Sequence, residues 1–203
     1  KQLKELTSRI RIVMKDPLYP ILIDEEGGRV SRLSKIVDTS DYSQGFFRSL
    51  FEKNKSVGTN SYVEYLYFNS QMLNEVGINI NTIPVLDILK KNTHQVIGNR
   101  SYSKNLKTIN TLKQVCFNVL KKFKIGSVAK HIPGHGRSSV DTHKKLAIVY
   151  TSVNSLLKDD FNAFKNINSK FAMTAHIIYK KIDSLNTATH SKILINNIIR
   201  RKL

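Results

Sequence analysis

The chain has 203 residues, 40% of them hydrophobic, with one cysteine and no tryptophan; that length encloses the core of one domain. The formal charge of +18 comes from lysines scattered through every segment, with no RRM, helix-turn-helix or zinc-finger spacing, so it reads as a residue bias, and nucleic-acid binding stands as the least favoured alternative. No apolar run approaches the roughly 18 residues of a membrane span. Cys116, alone in the chain, permits no internal disulfide and fits a reducing, cytoplasmic compartment as a small buried hydrophobe.

The first residues, from Leu3 to Met14, predict a helix, and the chain opens inside it; both ends are expected to be incomplete. Four short apolar runs follow at intervals: Ile21 to Ile23, Ile80 to Leu86, Ile125 to Ala129, and Phe171 to Ala175. Each predicts a buried parallel strand. Between them, Tyr62, Leu66, Met72, Leu73 and Val76, and then Ile109, Leu112, Val115, Val119 and Phe123, recur at three- and four-residue spacing, as on amphipathic helices that cover a sheet. The loop from Lys35 to Gly45 and the polar stretch from Lys180 to Thr189 are connections, and a last helix spans about Ser191 to Leu203.

Polar groups stand directly after each strand: Asp24, Asp87, Lys130 with His131, and His176. Catalysis at the C-terminal strand ends is the pattern of a (β/α)₈ TIM barrel, so the fold class is α/β, part of such a barrel. A doubly wound sheet would carry a glycine-rich phosphate turn after its first strand, and the two acids of Glu25-Glu26-Gly27-Gly28 would repel a phosphate. A whole barrel takes about 250 residues; four strands are about half of one.

The segment Lys130-His131-Ile132-Pro133-Gly134-His135-Gly136, trailed by Asp141-Thr142-His143, is the densest in chemistry. In Asp141-x-His143 the carboxylate can accept a hydrogen bond from one ring nitrogen, leaving the other to give and take a proton. A metal is the rival reading, but the spacing is no helical His-x-x-x-His and Lys130 sets a positive charge beside any cation; no metal or other cofactor is expected. His135 is read as shaping the Gly134–Gly136 turn. Asp24 suits vicinal sugar hydroxyls. Of Arg29 and Arg32, one is expected to reach the site while the other pairs with Glu25 or Glu26, and Asp87 is a candidate partner for a cation such as Arg100.

These motifs, with Ile97-Gly98-Asn99-Arg100-Ser101-Tyr102 and Met173-Thr174-Ala175-His176, occur in the order seen in glycoside hydrolase family 3, and the Lys-His-x-Pro-Gly-His-Gly element with its Asp-x-His resembles the bacterial β-N-acetylglucosaminidase branch of that family. The resemblance runs from about Leu3 to Leu203. Glu25, Ile132 and Thr142 depart from the commoner Gln, Phe and Ser without removing a reacting group.

The resemblance implies a single partial N-terminal catalytic domain over 1–203. It makes His143 the general acid/base and Asp141 its orienting partner, with Asp24, Arg32, Arg100, Lys130 and His131 holding an N-acetylglucosamine ring. Hydrolysis of terminal β-N-acetylglucosamine from muropeptides would retain configuration, in a protein expected to be monomeric when complete. The family's nucleophile is an Asp on a later strand, expected beyond residue 203; Asp159, Asp160 and Asp183 are poor substitutes. The alternative is an inactive remnant that at most binds sugar.

Overall fold

All four apolar runs become neighbouring strands. The computed structural model, which describes residues 1–203, has β1 (Leu22–Ile23), β2 (Ile80–Asn81), β3 (Gly126–Ile132) and the later strand Phe171–Thr174 side by side and parallel, in sequence order. An order without reversal has no topological switch point, which separates this α/β sheet from the doubly wound alternative. The pairing registers Leu22 with Ile80, Ile80 with Gly126 and Val128 with Phe171.

Two strand boundaries differ from expectation. Regular pairing in the second run stops at Asn81, because Pro84 has no N–H to give the ladder; the extended chain continues, with Leu86 N–H donating to Lys130 O at 2.7 Å and Lys130 N–H to Pro84 O at 3.1 Å. In the third run the strand extends through Ile132, so Lys130 and His131 lie inside β3 and not after it. The register with the Phe171–Thr174 strand shifts between Lys130 and Ile132, and a shift of this kind re-aims a side chain within a ladder.

The helices are α1 (Gln2–Met14), α2 (Gln44–Lys53), α3 (Lys55–Glu75) and α4 (Leu106–Lys122). Asn54 caps α3 by accepting from Val57 N–H, and Asn105 caps α4 from Lys107 and Thr108, each satisfying donors that a helix start leaves orphaned. Helix α4 buries Ile109, Leu112, Cys116, Phe117, Val119 and Leu120 on one face, and α3 buries Tyr62, Leu66 and Leu73; both stripes join the sheet in the main core. The expected Val115, Phe123, Met72 and Val76 sit at its margin, half-buried. Helix α2 had no separate signal; it packs so closely on α3 that a Cβ on Gly58 would lie 2.2 Å from the Phe51 nitrogen.

A second core forms beyond the sheet. Strand β4 (Ala147–Val149) pairs in parallel with β6 (Ile177–Tyr179), β5 being Phe171–Thr174, and both pack with Leu156 of α5 (Val153–Lys158) and Phe161. Neither β4 nor β6 was expected, although both are apolar throughout. The terminal helix forms, widened into a π-helical turn over Leu194–Ile199 and ending in α6 (Arg200–Lys202).

Candidate active site

The strand ends converge. At the end of β3, Lys130 Nζ lies 2.5 Å from Glu26 Oε1, 2.7 Å from Thr82 Oγ1 and 3.1 Å from Asp24 Oδ1. Its side chain is 2% exposed, an environment that a lysine tolerates only when paired. The Glu26 carboxylate also takes two bonds from the Arg100 guanidinium, Nε to Oε2 and Nη2 to Oε1, both 2.8 Å. This is the bidentate geometry that favours arginine over lysine. Burial alone would raise the Glu26 carboxyl, but Arg100 and Lys130 outweigh it and hold the group below the ordinary carboxylate value. Asp24 is lowered in the same way, against burial, by the Thr82 hydroxyl, Lys130 and Arg32.

The arginines sort differently from expectation. Arg32 reaches Asp24, with Nη2 3.7 Å from Oδ2, but Arg29 pairs with neither acid; its guanidinium donates to the carbonyls of Gln95 and Ile97. Glu25 faces inward to the Ser31 and Thr39 hydroxyls and the N–H groups of Arg32 and Leu33, so it shapes the turn after β1. Glu26, not singled out from the sequence, is the centre of the ion network; two adjacent acids, both buried, gave no cue to which would meet the cations.

Asp87 is also reassigned. Its partner is His131 and not Arg100: Oδ2 lies 2.6 Å from His131 Nδ1, and Oδ1 accepts from the N–H groups of His131 at 3.2 Å and His135 at 2.6 Å. Burial pushes this carboxyl up, and the His131 imidazole with the His135 contacts brings it below its ordinary value. With Nδ1 occupied, His131 presents its other ring nitrogen away from Asp87.

The Asp141–His143 pair forms. Asp141 Oδ1 accepts from the His143 backbone N–H at 3.0 Å and lies 2.8 Å from His143 Nδ1. These bonds, the backbone one foremost, lower the Asp141 carboxyl. The His143 side chain is 81% exposed, so Nε2 is open to an incoming ligand.

A cavity of about 200 Å³ is lined by Arg100, His131, His135, Thr142, His143 and His176, with Val96, Ile97, Met173 and Thr174. Of the predicted residues, Lys130, Asp24 and Arg32 do not line this cavity; Lys130 and Asp24 connect to it through the Lys130–Glu26–Arg100 chain, while Arg32 is 63% exposed and meets only Asp24. His176 was noted at its strand end but given no role; its Nδ1 is 2.9 Å from Thr189 Oγ1, itself 2.9 Å from Thr174 Oγ1. No three His, Cys, Asp or Glu side chains converge as a metal-binding group. Asp159 and Asp160 are tied to Arg137, and Asp183 to Ser191 and the N–H groups of Leu185 and Asn186, away from the cavity lining.

Known proteins are similar to the chain in sequence and fold. The chain is 29% identical to a beta-hexosaminidase of Nitrosomonas eutropha and 28% identical to one of Bordetella pertussis, each match taking in 100% of the chain and 58% of the relative. It thus spans somewhat over half the length of these relatives. Among solved structures, NagZ from Neisseria gonorrhoeae in complex with N-trifluoroacetyl-D-glucosamine superposes with a TM-score of 0.89 at 29% identity, over 98% of this chain and 59% of that one. A family 3 β-N-acetylglucosaminidase from Paenibacillus sp. str. FPU-7 gives 0.84 at 25% identity, over 98% and 38%. Residues 1–203 match the glycosyl hydrolase family 3 N terminal domain throughout, and the chain therefore belongs to glycoside hydrolase family 3.

Proposed function

We propose that the chain supplies the acid/base and sugar-holding part of an exo-acting, retaining β-N-acetylhexosaminidase that removes terminal β-N-acetylglucosamine from muropeptides in the cytoplasm. The observation that carries this is the Asp141–His143 pair, 2.8 Å apart, at a cavity walled by Arg100 and His131. Both beta-hexosaminidase relatives and the neighbour bound to an N-acylglucosamine analogue support the substrate class. No helix is long and apolar enough to cross a membrane.

In the proposed reaction Asp141, ionised at neutral pH, accepts a hydrogen bond from His143 Nδ1–H, and the His143 imidazolium gives its Nε2 proton to the leaving glycosidic oxygen and becomes neutral. The same nitrogen then takes a proton from the water that resolves the intermediate. Asp141 also stabilises the imidazolium as it forms. Arg100, His131 and Asp24 hold ring hydroxyls and the acetamido group, each oriented by a buried partner. A retaining mechanism needs a carboxylate nucleophile. None of the residues that line the cavity carries a carboxylate, so we assign the nucleophile to the portion of the relatives' length that the chain does not span.

The test is turnover of an aryl N-acetyl-β-glucosaminide by the full-length protein. His143→Ala should lower kcat/KM by about 10²–10⁴-fold, the usual size of a general acid/base contribution, and an unchanged rate would remove His143 from the mechanism.

A further inference from the structure

The loop that carries the acid/base pair is firmly held at its base and almost free at its tip. Residues 132–136 and 138 are buried. There the Tyr179 hydroxyl donates to Gly134 O, the Thr93 hydroxyl to Gly136 O, His94 N–H to Ser138 O at 2.8 Å, and Arg137 Nε to Asp160 Oδ2 at 2.6 Å. From Ser139 the chain emerges; Val140 leans on the second core. Between Asp141 and Lys145 the hydrogen bonds are internal, Lys144 and Lys145 N–H to Asp141 O and the two His143 bonds to Asp141 Oδ1, with one exception.

The exception is Thr142 Oγ1, 3.0 Å from Nε2 of His135. His135 is a rigid anchor: 3% exposed, its backbone N–H fixed by Asp87, its ring edge-on to His131 at 5.5 Å. Its Nδ1 is buried without a partner, so the bond to Thr142 is the one polar tie its ring makes. Burial, and after it the neighbouring His131 and Arg100, hold this imidazole below its ordinary pKa against the pull of Asp87, which keeps it neutral.

We propose that the His135–Thr142 hydrogen bond is a latch that sets the position of the Asp141–His143 pair over the cavity, making His135 and Thr142 positioning residues of the reaction under Proposed function, on which this inference rests. Through it the single carboxylate of Asp87 orders both sides of the site: it grips His131 directly, and by holding His135 it fixes the loop that brings the proton. Asp141 and His143 move together, because two bonds join them, so the one bond at Thr142 places both.

Thr142 is half-buried on a loop, so Thr142→Val keeps shape and fold while removing the hydroxyl, and Thr142→Ser keeps the hydroxyl. In the full-length protein, Thr142→Val should lose about tenfold in kcat/KM, the worth of one neutral hydrogen bond. The loss should be larger on a 4-methoxyphenyl than on a 4-nitrophenyl N-acetyl-β-glucosaminide, since a poor leaving group depends more on the acid. Thr142→Ser should stay within about threefold of wild type. Independently of turnover, amide hydrogen exchange across 139–146 should quicken in Thr142→Val and not in Thr142→Ser. A wild type without turnover refutes the glycosidase reading, and the exchange result alone then decides the latch. Equal losses on both substrates, equal losses in both variants, or exchange unchanged in Thr142→Val would overturn it.

Discussion

Glu26 carries a charge at 2% side-chain exposure between two cations that are nearly as buried. Such a cluster gives little net stability when whole but is costly to break, because removing one member strands the others. Glu26→Gln leaves Lys130 with Asp24 and Thr82, and Arg100 with the Val96 carbonyl, and should destabilise the folded protein by about 3–5 kcal/mol in urea titration. The pH dependence has a definite sign. The folded carboxyl lies below its ordinary value of 4.5, so its contribution is complete above about that pH and fades as pH falls through the folded value. The stability difference between wild type and Glu26→Gln should therefore shrink on acidification below pH 4.5; a difference independent of pH would mean that the charge of Glu26 does not act through this network.

At the scale of elements, the site depends on the contact between the loop after β3 and the segments behind it. Gly136 has no room for a side chain: a Cβ there would lie 1.8 Å from the Ile88 carbonyl oxygen. Gly136→Ala should cost about 3 kcal/mol or more, since backbone would have to move, and a fall in Tm of under a degree would contradict this packing. The segment Asp160–Phe164, which supplies the Asp160 that holds Arg137, is itself tied to α4 by Lys113, whose Nζ donates to Ala163 O at 2.9 Å and Lys165 O at 2.8 Å. With no carboxylate beside it, burial lowers this amine to about 8 from 10.5. Folding then favours the neutral amine, so Lys113 makes stability rise with pH between those two values, where the unfolded chain binds the extra proton. Stability of wild type relative to Lys113→Met should climb across that interval, and a flat difference would show that the amine keeps its proton in the fold.

For the whole molecule, the sheet has two open edges. Leu22 of β1 is 55% exposed, and Phe171 and Met173 of β5 are 46% and 37%, apolar side chains beside unpaired backbone. Edges of this kind associate. Residues 1–203 expressed alone should be poorly soluble or aggregate in light scattering, whereas a monomeric sample with a single cooperative melt would contradict this.

The four parallel strands, the two amphipathic helices and the pairing of Asp141 with His143 were legible in the chain alone, because each rests on local information: a short apolar run, a 3.6-residue period, or two groups two residues apart. The sequence also picked out Asp24, Asp87, Lys130 and His131 as polar groups near strand ends, and Arg100 as a cation near them. Which charges meet was set by the three-dimensional packing. Glu26 rather than Asp87 holds Arg100, Asp87 holds His131, and Arg29 binds carbonyls, since partners 44 to 74 residues apart are chosen by how the strands are stacked and carry no mark in the local pattern. Strands β4 and β6 escaped for the same reason. They are three apolar residues each, no less apolar than Ile21 to Ile23, and exist because each supplies the other's hydrogen bonds.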